Sequence, residues 1–275
     1  FELRFNEKLT NAFQQLPPLS HAQVGFLKGM STQVNINSLL KFTTKHYTLY
    51  HTKYLKLFAA SRQMNHDLQT FLLFIDYEQA YNSVRMDKLK SRLESLSSLS
   101  KNEIDLLFWG YSQLKIQLGS EEFTPHHGVP QGGINSPILF DFALYFMMED
   151  LVKYLKQNKE KHSDVNKQKI NITEENSFLF ADDTVFALHL RGTFSVIKET
   201  LKTFYHSLNQ VGSTWGLKNN HNKYALMHMF SQKRIYSDLS DDICEFSPKC
   251  EKTRITWKIS ENLCYNISLV RVYKY

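Results

Sequence analysis

The sequence predicts an α+β fold in which helices cover a small set of strands. The apolar run FLLFI at 71–75 is too short for a helix and too uniformly apolar for a half-exposed strand, which indicates a strand buried on both faces. The stretch SFLFADDTVFALHL at 177–190 is typical of a strand, a tight turn and a second strand. Longer helical patterns lie before, between and after these segments, and the length allows one large domain or two small ones.

The composition is that of a folded intracellular protein. The 275 residues are 42% hydrophobic and 13% aromatic, which argues against disorder. The net charge of +6 suits a nucleic-acid partner without identifying one. The three cysteines (Cys244, Cys250 and Cys264) have no CxxC spacing, which indicates a reducing compartment and neither disulfides nor a zinc site. No apolar run approaches roughly 18 residues, so no membrane partner is expected. The compartment (nucleus, cytoplasm or organelle) stays open.

The first third of the chain is predicted to be helical up to one strand. The segment at 1–16 has the pattern of an amphipathic helix, and Pro17 and Pro18 break it. A polar loop marked by glycines then leads to a long helical pattern that starts near Ser31. The strand at 71–75 follows and is ended by Asp76.

The rest of the chain alternates between helices and short strands. Helices are predicted at about 86–97, 101–113 and 192–213, with a hairpin turning at Gly119-Ser120. Ser136 as N-cap and Pro137 as first helical residue open a further helix. That helix is apolar all round at first and emerges toward Lys153 and Lys156. A polar loop is expected at 156–176, and LVRVYKY at the end has a strand pattern.

Asp182 and Asp183 interrupt an otherwise apolar stretch, where an unpaired buried carboxylate costs roughly several kcal/mol. A plain surface turn is the alternative, but such turns usually carry Gly or Asn. If the strand that ends at Asp76 neighbours this hairpin, three carboxylates converge, and each ionised pair at about 5 Å repels by roughly 3 kcal/mol. Divalent cations would neutralise them. Mg²⁺ keeps waters and takes substrate phosphates as ligands, and two such ions suit in-line nucleotidyl transfer.

Several motifs in order resemble those of reverse transcriptases. FIDYEQAYNSV at 74–84, GVPQGGINSPILF at 128–140, FADD at 180–183 and GLKNNHNKYALM at 216–227 look like the family's motifs A to D. QVGFLKGMST at 23–32 is similar to the fingers segment upstream of motif A, and the closing VYKY resembles the start of the primer grip. The likeness is greatest to the enzymes of non-LTR retrotransposons, with group II intron enzymes as close relatives.

The resemblance implies an RNA-directed DNA polymerase with a right-hand polymerase palm, an antiparallel sheet backed by helices, and a mostly helical fingers region. Residues 1–275 would form the fingers and palm of a reverse transcriptase domain, without the first fingers strands and without the thumb. The expected partners are an RNA template, a DNA or RNA primer and dNTPs, and the expected context is a retroelement. The oligomeric state stays open.

The resemblance also assigns the catalytic residues. Asp76 and Asp182 would hold two Mg²⁺ ions (Mn²⁺ being an alternative), Asp183 would support them, and the carbonyl of Tyr77 would be a further ligand. Tyr81 matches the aromatic residue that blocks a ribose 2′-hydroxyl; packing in the core is the alternative for this residue.

Further nucleotide contacts follow from the same resemblance. Gly128, Gln131 and Gly132 match the loop that contacts the incoming nucleotide and the template; a turn before a helix would explain the glycines but not the glutamine. Lys223 matches the motif D lysine that protonates the leaving pyrophosphate. Lys28 matches a basic fingers position that meets the triphosphate. An ordinary surface lysine is the alternative for both.

Three departures from the family pattern keep other functions open. Asn82 replaces a common aspartate, Asn219 stands where an apolar residue is usual, and Tyr224 where Thr is usual. A catalytically decayed copy that binds RNA or assists splicing is therefore one alternative, although the intact aspartates count against it. An RNA-dependent RNA polymerase is another, but such enzymes usually carry a small or acidic residue at the position of Tyr81 and Gly at that of Ala181.

Overall fold

The structure is a computed structural model. The part of the chain that it describes comprises residues 2–43, 69–125, 127–161, 170–192, 194–220, 223, 225–229, 249–253, 257–260, 263–265 and 270–274. Tyr224, Cys244 and residues 162–169 of the predicted polar loop lie outside these residues.

A six-stranded sheet forms the centre of the fold, and every neighbouring pair of its strands is antiparallel. In chain order its strands are β1 (Gln69–Ile75), β4 (Ser177–Phe180), β5 (Asp183–Leu190), β6 (Ala225–Met229), β7 (Lys249–Thr253) and β10 (Val270–Lys274). They lie side by side in the order β4-β5-β1-β6-β10-β7. Two separate hairpins are formed by β2 (Ile116–Leu118) with β3 (Glu121–Phe123) and by β8 (Trp257–Ser260) with β9 (Leu263–Tyr265). The predicted hairpin at Gly119-Ser120 and the predicted terminal strand are thus confirmed.

The central position of β1 explains its uninterrupted apolar sequence. It pairs with β5 on one side and β6 on the other, so its backbone groups are satisfied within the sheet. Because side chains alternate between the faces of a strand, Phe71, Leu73 and Ile75 point to one face and Leu72 to the other. All four are buried, which confirms the predicted strand with two covered faces.

Helices pack on both faces of this sheet: most share a core with Phe71, Leu73 and Ile75, whereas the helix at 32–43 packs against Leu72 on the other face. The helices are α1 (Glu2–Gln14), α2 (32–43), α3 (Ala80–Ser83), α4 (Met86–Glu94), α5 (Lys101–Ser112), α6 (Ser136–Lys161) and α7 (Phe194–Thr214), with a 3₁₀ helix at Pro18–Ala22. These bounds confirm the predicted helices to within a few residues. Among the described residues, no helix is both long and apolar enough to cross a lipid bilayer.

The helix α6 is the main core element beneath the sheet. Its residues from Ile138 to Met148 are buried, including the fully enclosed rings of Phe140, Phe142 and Phe146. Phe13 of α1 packs edge-on against Phe142, with ring centroids 5.1 Å apart. The helix reaches solvent at Lys153. The predicted deep start and gradual emergence are therefore confirmed.

Both predicted ends of α6 need correction. Ser136 lies inside the helix, and its hydroxyl donates backward to the Pro130 carbonyl. The first helical carbonyl is that of Asn135, which accepts the Leu139 N–H at 3.0 Å. Ser136 therefore closes the preceding loop instead of capping the helix. The helix also continues to Lys161, so the irregular segment starts later than predicted.

Candidate active site

The pairing of β1 with β5 brings the predicted carboxylates together. The last pair in their register is Ile75 with Thr184, and one further step in this register places Asp76 opposite Asp183. Directly opposed residues on antiparallel strands have Cβ atoms about 5 Å apart, and like charges at such positions destabilise a sheet. Asp182 lies beside them in the turn between β4 and β5. The predicted convergence of the three aspartates is thus supported by the sheet register.

The hairpin that carries Asp182 has a tight, two-residue connection. Phe180 pairs with Asp183, so only Ala181 and Asp182 form the turn. Ala181 adopts a left-handed backbone conformation with φ +55°. A positive φ at the first loop residue is what two-residue hairpin loops require, although glycine is the usual residue there. The turn contains neither Gly nor Asn, as the sequence showed. The positive φ of Ala181 therefore costs conformational free energy directly beside the acidic residues.

The carboxylates lie on the face of the sheet opposite the main helical layer. Asp76 follows Phe74 in the alternation of β1, whereas Ile75 faces the helices. A cleft of about 450 Å³ opens on this side. Its walls are formed by strand residues and one lysine: Phe74, Ile75, Asp76, Asp183, Thr184, Val185 and Lys223. The acidic groups are consequently accessible to a ligand that approaches the open face.

The electrostatics show a concentration of negative charge. Burial raises the pKa of Asp183, the charges of Asp182 and Asp76 raise it further, and Lys223 acts in the opposite direction. The ammonium of Lys223 contacts the Asp76 carboxylate, with Nζ 2.9 Å from Oδ2. Hydrogen bonding to Asp76 is the main reason why the pKa of Lys223 is raised. The positively charged ammonium of Lys223 thus already binds the carboxylate cluster, as expected if the site favours positive charge.

A divalent cation bound at this cluster would have only a few ligands from the protein. Within the part of the chain that the structure describes, no three His, Cys, Asp or Glu side chains form a ready-made metal cage. Mg²⁺ is commonly bound by one or two carboxylates together with waters and substrate phosphates, so a complete protein cage is not required. Asp76, Asp182 and Asp183 offer hard oxygen ligands on an open face, and they fit such an ion.

The backbone around Tyr77 is oriented as the prediction requires. The segment 218–220 pairs with 76–78: the Asn220 N–H donates to the Asp76 carbonyl at 2.7 Å, and the Glu78 N–H donates to the Lys218 carbonyl at 2.8 Å. In such a bridge the middle residue directs its own carbonyl away from the paired segment. The Tyr77 carbonyl therefore points toward the side of β5. Its role as a ligand stays a prediction.

Tyr81 is a rigidly supported, half-buried ring near the cluster. It stacks on Phe140, with centroids 4.6 Å apart and planes at 12°, and Phe26 contacts it edge-on at 6.4 Å. Burial, followed by the charges of Asp141 and Asp182, raises the pKa of its phenol, so the hydroxyl stays protonated at neutral pH. The ring is therefore partly core and partly exposed toward Asp182.

The loop that contains Gly128, Gln131 and Gly132 is tied to the Tyr81 helix. The Val129 N–H donates to the Tyr81 carbonyl at 2.7 Å, and the Gly128 N–H donates to the Val84 carbonyl at 2.8 Å. A Cβ at position 128 would lie 2.6 Å from the backbone of Asn82, so a glycine is needed for this contact. Gly128 thus lies against the protein's own backbone, and its nucleotide contact stays a prediction. Gln131 and Gly132 are exposed, and their nucleotide contacts stay predictions.

The remaining predicted residues divide between the cluster and the surface. Lys223 is joined to Asp76, whereas Lys28 is exposed in a turn before α2. Asn219 is 4% exposed and forms the bridge with Tyr77, so the usual apolar position is indeed buried here. The role of Lys28 at a triphosphate stays a prediction.

Two residues near the site were missed by the sequence analysis. Asp141 in α6 is fully buried, and within the described structure neither of its carboxylate oxygens has a hydrogen-bond partner. Its position inside the apolar run PILFDFALYFMM was a visible signal that something unusual is buried there. Gln23, which contacts the Asp182 turn, gave no such signal because a glutamine in a loop is ordinary.

An antiparallel sheet backed by helices, with aspartates at the end of one strand and in a neighbouring hairpin, defines a polymerase-type palm. The chain belongs to the reverse transcriptase (RNA-dependent DNA polymerase) family, whose model matches residues 3–258. This confirms the family resemblance and the fold class. The closer likeness to non-LTR or group II enzymes stays a prediction.

Solved structures agree on the fold. An apo telomerase from Candida tropicalis has a TM-score of 0.52 and 13% identity, covering 98% of this chain and 39% of that chain. The telomerase of the same organism in complex with a TWJ fragment of telomeric RNA has a TM-score of 0.51 and 15% identity, covering 82% and 33%. The chain thus spans less than half of these structures, and at such identities the likeness concerns the fold alone. No match was found among curated proteins.

The unpaired burial of Asp141 predicts a pH-dependent loss of stability. Burial raises its pKa well above the ordinary value, so the folded state keeps a proton that the unfolded state releases. Stability should therefore fall as the pH rises above the unfolded pKa, with a limiting slope of about 1.4 kcal/mol per pH unit for one proton. Asp141→Asn should remove this slope and make the variant more stable than the wild type at neutral pH. Urea unfolding between pH 5 and 8 measures both.

Asp105→Asn is the matched control for this measurement. The pKa of Asp105 is lowered by its hydrogen bond to Lys90, so Asp105 binds no proton in this pH range and the Asp105→Asn variant should keep the pH slope of the wild type. An Asp141→Asn protein with the same pH slope as the wild type would show that Asp141 is ionised in the folded state.

Proposed function

We propose that this chain catalyses RNA-templated DNA synthesis. In this reaction the primer 3′-oxygen attacks the α-phosphate of a dNTP, the bond between the α-phosphorus and the bridging oxygen breaks, and pyrophosphate leaves. The convergence of Asp76, Asp182 and Asp183 beside an open cleft carries the proposal. Membership of the reverse transcriptase family supports this reaction over other uses of an acidic cluster.

The three aspartates and the Tyr77 carbonyl would hold the metal ions. Two bound Mg²⁺ ions would lower the pKa of the 3′-hydroxyl and neutralise charge on the reacting and leaving oxygens. Asp76 and Asp182 would each contribute to both ions, and Asp183 would add negative charge beside them. The raised pKa of Asp183, caused by burial and by the neighbouring negative charges, fits a site that favours a bound cation.

Lys223 is suited to protonate the leaving pyrophosphate. Its ammonium is exposed on one side, with 66% of the side chain accessible, and contacts Asp76 on the other. With Asp76 engaged in holding a metal ion, the Lys223 ammonium would be available to donate a proton to the leaving pyrophosphate. Lys28, in the exposed turn before α2, would meet the triphosphate.

Tyr81 would select the sugar of the incoming nucleotide. It is fixed from behind by Phe140 and from the side by Phe26, so its ring cannot easily yield to added bulk. A 2′-hydroxyl that meets this ring would be excluded. Gly128, Gln131 and Gly132 follow in the loop bonded to the Tyr81 helix, where they would contact the nucleotide and the template.

The nucleic-acid partners are an RNA template and a DNA or RNA primer. The net charge of +6 favours a phosphate backbone as ligand. One structure of the same fold is a telomerase in complex with an RNA fragment, which makes an RNA partner reasonable for this chain as well. We further propose that the chain acts as part of a retroelement.

Asp182→Asn should abolish primer extension while leaving primer–template binding within a few-fold of the wild type. The substitution removes a charge that stabilises the reacting phosphate but few contacts with the nucleic acid. Single-nucleotide extension and fluorescence anisotropy on the full-length polypeptide measure the two quantities.

Asp87→Asn is the control, because Asp87 is an exposed aspartate paired with Arg85 and should not affect extension. Near wild-type extension by the Asp182→Asn protein would refute the metal role of the turn.

Tyr81→Ala should raise ribonucleotide incorporation far more than it lowers deoxynucleotide incorporation. Removing the ring removes a clash that only the 2′-hydroxyl experiences. Loss of this rigid steric block should reduce the free-energy difference between the two sugars by roughly several kcal/mol. The ratio of kcat/KM for dNTP and NTP measures this effect directly.

Tyr81→Phe is the matched control, since it keeps the ring on Phe140 and should keep the sugar preference. A core tyrosine without a role in selection predicts lower stability and an unchanged ratio for Tyr81→Ala. That result would refute the selecting role of Tyr81 and remove the main ground for DNA synthesis. A wild type that prefers ribonucleotides would favour an RNA-dependent RNA polymerase.

A further inference from the structure

We infer that Gln23 is a positioning residue that fixes the Asp182 turn, and thereby the metal-binding geometry of the candidate active site. This inference rests on the proposed function for its catalytic consequence. Gln23 lies 158 positions from Ala181 in sequence, yet its side chain hydrogen-bonds both backbone groups of that residue. Its side chain does not reach the reacting groups, so its effect would be exerted through the turn.

Gln23 holds Ala181 through two hydrogen bonds, one to each of its backbone polar groups. Gln23 Nε2 donates to the Ala181 carbonyl at 3.1 Å, and the Ala181 N–H donates to Gln23 Oε1, also at 3.1 Å. Oε1 additionally accepts the Gly25 N–H at 2.8 Å. The amide orientation is defined by this network, because a flipped amide would place its NH₂ group against two N–H donors. The side chain at position 23 must therefore both donate and accept hydrogen bonds, which few other side chains can do.

Ala181, the residue that Gln23 holds, has a strained backbone conformation. Ala181 has φ +55° without being a glycine, a conformation that costs free energy and must be stabilised by its surroundings. Asp182 follows directly, so any relaxation of Ala181 would rotate the peptide that carries the Asp182 carboxylate. Gln23 is 3% exposed, and in a buried setting these hydrogen bonds are not replaced by water.

The surrounding backbone holds Gln23 against the turn. Gln23 forms a parallel bridge with Leu179, and the Val24 N–H donates to the Leu179 carbonyl at 3.0 Å. Asn35 Nδ2 donates to the same carbonyl at 2.8 Å. A Cβ at position 25 would lie 2.4 Å from the Ala181 nitrogen, so Gly25 allows the two segments to touch. The 23–35 segment thus supports the last residues of β4 and the turn together.

The same segment also contacts the proposed sugar-selecting residue. Phe26, three residues after Gln23, packs edge-on against Tyr81. One short segment therefore supports both the Asp182 turn and the Tyr81 ring. Displacement of Gln23 is expected to affect the metal-binding step first, because its hydrogen bonds end on Ala181.

The test compares Gln23→Met with Gln33→Met in the full-length polypeptide. Methionine keeps the length of the side chain and removes both hydrogen-bonding groups. Gln33 belongs to the same segment but is exposed, and among the described residues its side chain bonds only to Asn37 within its own helix, so it serves as matched control. Gln23→Glu is a second variant: it keeps the acceptor for the two N–H groups and loses the donor to the Ala181 carbonyl.

Three quantities are measured on each folded variant: Mn²⁺ affinity by electron paramagnetic resonance of the free ion, kcat for nucleotide addition, and primer–template Kd. Loss of a residue that orients metal ligands typically costs about 10- to 100-fold in metal affinity or activity. We expect such a loss of Mn²⁺ affinity and kcat for Gln23→Met, a smaller loss for Gln23→Glu, and unchanged values for Gln33→Met. Primer–template Kd should stay unchanged in all three.

A purely structural role predicts a different result. Gln23→Met would then lower the melting temperature while the folded molecules bind Mn²⁺ and turn over like the wild type, and this outcome would overturn the inference. If Gln23→Met does not fold, Gln23→Glu decides by the same criteria. The Mn²⁺ titration needs no polymerase activity: a wild type that binds Mn²⁺ through Asp182 without extending primers would refute the proposed function, while weakened binding in Gln23→Met would still support the role of Gln23.

Discussion

Repulsion between carboxylates that the sheet register forces together is the constraint on which this structure depends. The β1–β5 register places Asp76 opposite Asp183, and the two-residue turn adds Asp182 beside them. A sheet tolerates such a juxtaposition only if its remaining interactions outweigh the repulsion. The strand that ends at Asp76 has both faces covered and two paired neighbours, so it is among the best-supported parts of the fold. The repelling carboxylates thus lie at the end of a well-supported strand.

The site is assembled from segments that are distant in sequence and joined by backbone contacts. Residues 218–220 pair with 76–78, residues 128–129 pair with the Tyr81 helix, and residues 23–25 pack against the Asp182 turn. Backbone contacts fix positions more closely than contacts between long side chains, because fewer rotatable bonds intervene. Gly25 and Gly128 are the places where a side chain would prevent the approach. This construction explains how a loop-rich site can hold acidic groups in a defined geometry.

Much of this arrangement was predictable from the sequence, because its elements have strong local signals. The apolar run at 71–75, the Asp-containing hairpin and the long helices follow from periodicity and turn chemistry. The fold class followed from ordered motifs and is confirmed by the family match. Errors arose where a side chain had two possible partners: Ser136 resembles a helix cap, yet its hydroxyl donates to Pro130. Gln23 and the buried Asp141 were missed because their roles depend on long-range packing, which periodicity does not report. The close contact between Gly128 and Asn82 was likewise not visible in the sequence, and the nucleotide contact of Gly128 stays a prediction.

The central claim is that the carboxylates repel one another until a divalent cation binds. Thermal unfolding of the wild type and Asp183→Asn, in EDTA and in increasing Mg²⁺ at constant ionic strength, tests it most directly. Removing one charge should stabilise the metal-free protein, whereas Mg²⁺ should raise the melting temperature of the wild type and have much less effect on the variant. An Asp183→Asn protein that is less stable than the wild type in EDTA, and that gains as much from Mg²⁺, would contradict the account.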